Sequence, residues 1–214
     1  MTGHSDARPL TDAAHGLGGA VIYLIGIPAV GKYTIAKEIA RLTQAKLVDN
    51  QLINLPVFSI LGYDGQDSFP FPSRAWDHIE TIREAVLSTI VECSAPGDSF
   101  VFTNVLEAGD PGSEALFRRI EQVAASRGVG FFPVWLTCDA ETLRQRKASP
   151  DRKQRFKDTD VTNIARYVQQ FRVFEAPHPN ALKLDTSVDT VEAIARRIIG
   201  HVQRVQDLRA DRAV

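Results

Sequence analysis

The sequence predicts an α/β protein built on a five-stranded parallel sheet flanked by helices, and three observations predict it. Short β-rich runs alternate with helical patterns from Val21 onward. The first run, Val21-Ile22-Tyr23-Leu24-Ile25, is apolar at every position, as strands buried on both faces are. A glycine-bounded turn, Gly26 to Gly31, then joins that run directly to a helical pattern. Strand–helix alternation implies right-handed crossovers, hence parallel strands with helices on both faces of the sheet.

The elements follow in order. Ile35, Ile39 and Leu42 mark a helix from Gly31 to about Thr43, and Lys46-Leu47-Val48-Asp49 is a second strand that ends on an acid. Residues 51–73 show no clear period. Apolar residues there give way to Gly62, Gly65 and a Phe/Pro cluster over Phe69–Pro72, which predicts loop. Ile79, Ile82, Val86 and Ile90 share one face of a long helix over Arg74–Cys93, which Pro96-Gly97 stops. Ser99–Thr103 is the third strand, and Leu116, Ile120 and Val123 mark a helix that ends near Gly128. Phe131–Thr137 is the fourth strand, Ala140–Lys147 a short helix, and about Val161–Phe174 another. Ala181–Leu184 is the fifth strand, and Val191, Ile194, Ile198 and Val205 define the last helix, with 208–214 frayed. Met1–Gly19 is polar and lacks the basic start and apolar stretch of a signal peptide, so it reads as a flexible tail before one domain over 20–207.

Composition narrows the function classes. The chain has 214 residues, 44% of them hydrophobic and 24% charged, with a formal net charge of −1. That is the balance of a soluble globular protein with a sizeable core, and it supplies no broad basic field for nucleic acid or a membrane surface. Cys93 and Cys138 lie outside any metal-ligand spacing and read as reduced core residues. No apolar run approaches the roughly 18–20 residues that span a bilayer. A cytoplasmic protein is expected, monomeric or homodimeric, with neither nucleic acid nor membrane as partner.

Ligands of such sheets bind at the carboxyl ends of the strands. After the first strand comes Gly26-Ile27-Pro28-Ala29-Val30-Gly31-Lys32-Tyr33-Thr34, which matches G-x-x-x-x-G-K between a strand and a helix. Glycines let the backbone curl so that successive N–H groups face phosphate oxygens, the helix start adds its positive dipole end, and Lys32 supplies a mobile cation. The residue after the lysine is Tyr33 where a Ser or Thr would hold Mg²⁺, and Thr34 comes one later.

A loop ending Gly31-Lys32-Tyr33-Thr34 resembles that of the nucleoside-monophosphate kinases, which typically reads Gly-Lys-Gly-Thr. The broader resemblance, from about Val21 to Val202, is to the group that includes shikimate and gluconate kinases. It implies a three-layer P-loop NTPase fold with a short lid at about 146–158. It also implies an ATP-dependent phosphotransferase that moves the γ-phosphoryl group of ATP to a small-molecule acceptor, a nucleoside monophosphate or a hydroxyl compound. ATP would sit on Gly26, Pro28, Ala29, Val30, Gly31, Lys32, Tyr33 and Thr34, with Mg²⁺ near Thr34 and Asp49, largely through water.

The same resemblance places further residues. The segment Cys138–Arg152 is similar to the lid of these kinases, with Arg146 and Arg152 as the matching arginines and Arg144, Lys153 and Arg155 in reserve. Arginines that close over the transferring group stabilise its spreading charge. A solvated basic helix face would explain the same residues. Leu182–Ser187, followed by Glu192, is similar to the segment that passes beside the adenine, implying Asp185, Thr186 and Ser187 as nucleotide contacts; a helix cap alone would also account for them. Asp49, with Asn50 beside it, is the candidate general base or acceptor ligand, or else the N-cap of a following helix. Gln51 stands where a second acid would be.

The third strand ends in Thr103-Asn104, where many P-loop proteins carry the aspartate that anchors the metal, and Glu107 and Asp110 come slightly later. Arg74, Arg83, Asn104 and Glu107 complete the acceptor-side candidates, although a plain surface role fits each arginine as well. The thin metal set keeps a second class open, an ATP-binding switch or slow NTPase without a small-molecule acceptor.

Overall fold

The computed structural model describes residues 16–63, 69–148, 164 and 170–211. Five strands form one parallel sheet: β1 (Ala20–Ile25), β2 (Lys46–Asp49), β3 (Phe100–Asn104), β4 (Gly130–Thr137) and β5 (Leu182–Asp185), in the order β2-β3-β1-β4-β5. Six helices are described: α1 (Lys32–Thr43), α2 (Asn50–Leu61), α3 (Arg74–Cys93), α4 (Pro111–Ser126), α5 (Ala140–Lys147) and α6 (Val191–Ala210). The architecture is the three-layer α/β arrangement expected of the sequence, with β3 and β5 shifted by a residue and β1 and β4 beginning one residue earlier.

Alternation along β1 sorts the core into two layers, because successive strand side chains point to opposite faces. Ile22 and Leu24 pack with Ile35 and Ile39 of α1 and Ile194 and Ile198 of α6. Val21, Tyr23 and Ile25 pack with Leu87 and Ile90 of α3 and Phe117 and Ile120 of α4. Every residue of β1 is buried, so this strand is the axis of the molecule. It lies between β3 and β4, and the chain moves from it to β2 on one side and to β5 on the other. The reversal of direction at β1 opens a crevice at its carboxyl end, where the Gly26–Gly31 loop begins.

Two elements differ from expectation. Residues 50–61 form a helix although Pro56 lies inside it. Its apolar residues stand so close together that no single face shows in the sequence, yet Ile53, Asn54 and Phe58 are buried against α3 and the sheet edge. Tertiary packing outweighs the cost of the interior proline. Gly62, in left-handed conformation at φ 68°, closes the helix by donating to the carbonyls of Phe58 and Ser59. The helix expected to reach Phe174 does not: residues 172–174 are extended, and Val173 bridges Glu107 in antiparallel fashion. Backbone bonds from Ala108 N–H to Arg172 (2.7 Å) and from Phe174 N–H to Leu106 (2.9 Å) take the groups a helix would use.

Ordered packing begins ahead of β1. Leu17 is buried against the α1–α6 layer, and the Gln206 amide donates to the carbonyls of Leu17 (2.7 Å) and Gly19 (3.0 Å). Among the described residues, no helix is long and apolar enough to cross a membrane. The expected lid beyond 148, with Arg152, Lys153 and Arg155, lies outside the described residues.

Candidate functional site

The loop between β1 and α1 has the geometry of a phosphate cradle. A Cβ on Gly26 would stand 2.5 Å from the Leu136 carbonyl oxygen, so only glycine lets β1 turn this close to β4. Gly31 takes φ 104° and Ala29 φ 69°, both in the left-handed region that alternates the direction of successive N–H groups. Ala29 bears the strain of that conformation with a Cβ, at a cost of roughly 1 kcal/mol. The Lys32 ammonium, at the first residue of α1, folds back over the loop and donates to the carbonyls of Gly26 (2.6 Å) and Ile27 (2.8 Å). Pro28 is half-buried and Val30 fully buried beneath the loop. Tyr33 is half-buried with the Lys37 ammonium 5.7 Å from its ring centre, while Thr34 is exposed.

The carbonyl side of the loop is bolted to the far edge of the sheet. Arg146, near the end of α5, donates from Nη1 to the Val30 carbonyl (3.1 Å) and to Thr186 Oγ1 (2.9 Å), and from Nη2 to the Thr186 carbonyl (2.7 Å). Thr186 is buried; its N–H donates to the Thr137 carbonyl (2.8 Å), and its hydroxyl lies 2.9 Å from the Val30 carbonyl. One guanidinium thus joins the loop, the last turn of α5 and the residue after β5. The half-buried Cys138 sits in the same corner, where burial raises its thiol pKa against the opposing pull of Arg146. Asp185 accepts from Ser187 N–H (2.8 Å), and Ser187 Oγ accepts from Asp139 N–H (2.8 Å). The Thr142 N–H, the Thr142 hydroxyl and Ser187 bond to Asp139 in turn and lower its carboxyl to about 2, which charges the N-cap of α5.

On the other side of β1, the carboxyl ends of β2 and β3 hold an acidic and amide-bearing station. Asp49 is buried at the N-cap of α2, and the Thr103 hydroxyl donates to its Oδ1 at 2.5 Å. Its side chain makes no capping bond to the helix, so the cap role and the carboxylate role part here. Asp49 pairs with Thr103, and Thr103 with Leu24, so the acid stands two strands, on the order of 10 Å, from β1. Asn104, buried, is in register with Ile25 between the two. Asn50 Oδ1 accepts from Arg83 Nη1 at 2.8 Å, and Arg83 Nε pairs with Glu80 at 3.0 Å. Burial works against ionising Glu80, but hydrogen bonds and charge from Arg119 and Arg83 outweigh it and lower its pKa.

Other candidates lie apart from these stations. Arg74 is exposed at the start of α3. Glu107 is exposed, with its backbone committed to the bridge with Val173 and its N–H to Ser113 Oγ. Asp110 caps α4 through Gly112 and Ser113 N–H. Arg144 pairs with Glu141, and Glu192 with Arg196, both on exposed faces. Thr103, Glu80 and Asn54 escape sequence reasoning: a threonine in a strand and an acid or amide in a helix carry no signal until their partners are adjacent. Among the described residues there is no cluster of His, Cys, Asp and Glu suited to a metal by itself.

No family model matches the chain, and no curated protein is similar to it in sequence. Solved structures similar to it include a gluconokinase from Sinorhizobium meliloti (TM-score 0.58, 13% identity, covering 94% of this chain and 100% of that one). A thymidylate kinase from Candida albicans matches with TM-score 0.56 at 13% identity, covering 88% of this chain and 92% of that one. An APS kinase from Mycobacterium tuberculosis, solved with AMPPNP and APS, matches with TM-score 0.53 at 15% identity, covering 86% and 98%. These similarities give this chain the three-layer α/β fold of the P-loop small-molecule kinases.

Proposed function

We propose that the protein is an ATP-dependent kinase that transfers the γ-phosphoryl group to a small-molecule acceptor. The carrying observation is the placement of two stations at the carboxyl edge of one parallel sheet, on strands separated only by β3. The glycine-bounded cradle with Lys32 lies after β1, and the buried Asp49 carboxylate lies two strands away, on the order of 10 Å. That spacing leaves room for an acceptor between phosphate and base.

In this reading the N–H groups of the Gly26–Gly31 turn and the α1 dipole hold the phosphates. Lys32 exchanges its bonds to Gly26 and Ile27 for bonds to phosphate oxygens. Asp49 accepts the proton of the attacking hydroxyl as the oxygen–phosphorus bond forms and the bond to the leaving ADP oxygen breaks. Thr103 holds the carboxylate in place through Oδ1. Arg146 belongs to the nucleotide side: its three bonds fix Val30 and Thr186 rather than reach toward the acceptor. Mg²⁺ would travel with ATP, held by phosphate oxygens and water with Thr34 and Asp49 nearby, and would neutralise developing charge. A water-rich ion of this kind is compatible with a site where Tyr33 follows the lysine and β3 ends on Thr103-Asn104.

The lack of an acid at the end of β3 favours a second reading, an ATP-binding switch or slow NTPase. ADP release with Mg·ATP, measured across nucleoside monophosphates, sugars, cyclic acids and aminoglycosides, separates the two. Acceptor-specific stimulation that Lys32→Ala abolishes is the kinase outcome; ATP binding with flat, acceptor-independent turnover is the switch outcome.

A further inference from the structure

The acceptor station contains groups whose donors and acceptors are settled by their partners. Arg83 is 5% exposed, and a guanidinium only donates. The Asn50 atom that faces it at 2.8 Å is therefore the carbonyl oxygen, and the amide nitrogen, with its two donors, is turned the other way. The charge of Arg83 is matched by Glu80 at 3.0 Å, which Arg119 also holds at 2.8 Å. Arg83 thus orients Asn50 and is a positioning residue, with its charge already answered. One helical turn along the same buried face of α2 lies Asn54, 6% exposed, whose Oδ1 has no hydrogen-bond partner among the described residues. A buried acceptor without a donor is costly, and a ligand that brings a donor relieves that cost.

We propose that the acceptor is a polyhydroxy compound recognised through its hydroxyl groups and not through a phosphate of its own. This rests on the kinase reading above. A hydroxyl donates to Asn54 Oδ1, the Asn50 amide donates to a hydroxyl oxygen, and the attacking hydroxyl gives its proton to Asp49. Each hydroxyl group both donates and accepts, so a polyhydroxy compound can answer all three members of this set. A nucleoside monophosphate reacts through its phosphate, which brings acceptors only and would stand beside the Asp49 carboxylate with the Arg83 charge already answered by Glu80.

The test is ADP release by the full chain with Mg·ATP in two arms. One contains myo-inositol, hexoses and unphosphorylated nucleosides; the other contains nucleoside monophosphates. Asn54→Leu and Asn50→Asp are assayed beside the wild type, with KM for ATP and Tm recorded for each. The expected result is stimulation in the first arm, with acceptor KM raised about tenfold or more in both variants and KM for ATP unchanged. Asn54→Leu replaces an amide with a buried, unpartnered oxygen by an apolar side chain of similar size, so its Tm is expected to hold or rise. Stimulation by nucleoside monophosphates alone overturns this proposal and leaves the kinase reading intact. Stimulation by polyhydroxy compounds with an acceptor KM that either variant leaves unchanged, or a fall in the Tm of Asn54→Leu that marks its amide as structural, also overturns it. Flat ADP release in both arms overturns it, and flat release with cyclic acids and aminoglycosides as well overturns the kinase reading with it.

Discussion

Gly26, Lys32 and Arg146 act on the same loop by different physics, and their substitutions separate those contributions. In Gly26→Ala the new Cβ meets a backbone oxygen at 2.5 Å, which cannot move without displacing β4. A stability loss of about 1–3 kcal/mol is expected by chemical denaturation, together with weakened ATP binding. Lys32→Ala removes a cation but no packing, so Tm should stay near wild type while phosphoryl transfer falls about 100-fold or more in the ADP-release assay. Arg146→Lys keeps the charge and loses the fork that spans Val30 and Thr186. Its expected signature is a KM for ATP raised by about tenfold with a smaller change in kcat. A large fall in kcat at unchanged KM would assign Arg146 to the transferring phosphoryl group instead.

At the scale of elements, α5 is the short helix that carries Arg146, and its N-cap is Asp139. Hydrogen bonds from Thr142 and Ser187 lower the Asp139 carboxyl from 3.8 to about 2. A depressed carboxylate contributes stability above its unfolded pKa and loses it as pH falls through the folded one. The Tm advantage of wild type over Asp139→Asn should therefore be full well above about pH 4 and shrink steadily as pH falls through about 2. A difference that keeps its full size at about pH 2 would rule out ionisation as its source. α2 shows the opposite relation between local sequence and element: Pro56 argues against it, and the burial of Ile53 and Phe58 against Ile79 of α3 supports it. The apolar spacing of α3 is legible in the sequence; the helix it packs against is not.

At the scale of the molecule, two apolar layers lie on either side of a fully buried β1. The layer under α3 and α4 is aromatic, with Phe117 stacked on Tyr23 (centroids 6.1 Å apart) and on Trp135 (6.2 Å). Phe117 is fully buried, so Phe117→Ala should cost about 3–5 kcal/mol and lower Tm by roughly 10 °C, read by scanning calorimetry. Phe117 belongs to neither station of the candidate site, so ATP affinity measured well below Tm should change little. The layers make the rigid base from which the loop after β1 and the carboxylate after β2 project.

What the sequence by itself determined is local: the five short strands, the cradle from Gly26 to Gly31 followed by Lys32, and the acid that ends β2. Each is written within a few residues, where glycine freedom, strand burial and helix period act directly. Tertiary structure alone decided which of these meet. Asp49 is 54 residues from Thr103, Arg83 is 33 from Asn50, and Thr186 is 40 from Arg146 and 156 from Val30. Polar pairs at such separations leave no period in a single sequence, because the chain joins them only after the strands have ordered as β2-β3-β1-β4-β5. Arg83 shows the difference most clearly: in the sequence it reads as a plain surface arginine or as a cation for an anionic acceptor, and in the fold it is the buried partner of Glu80 and Asn50.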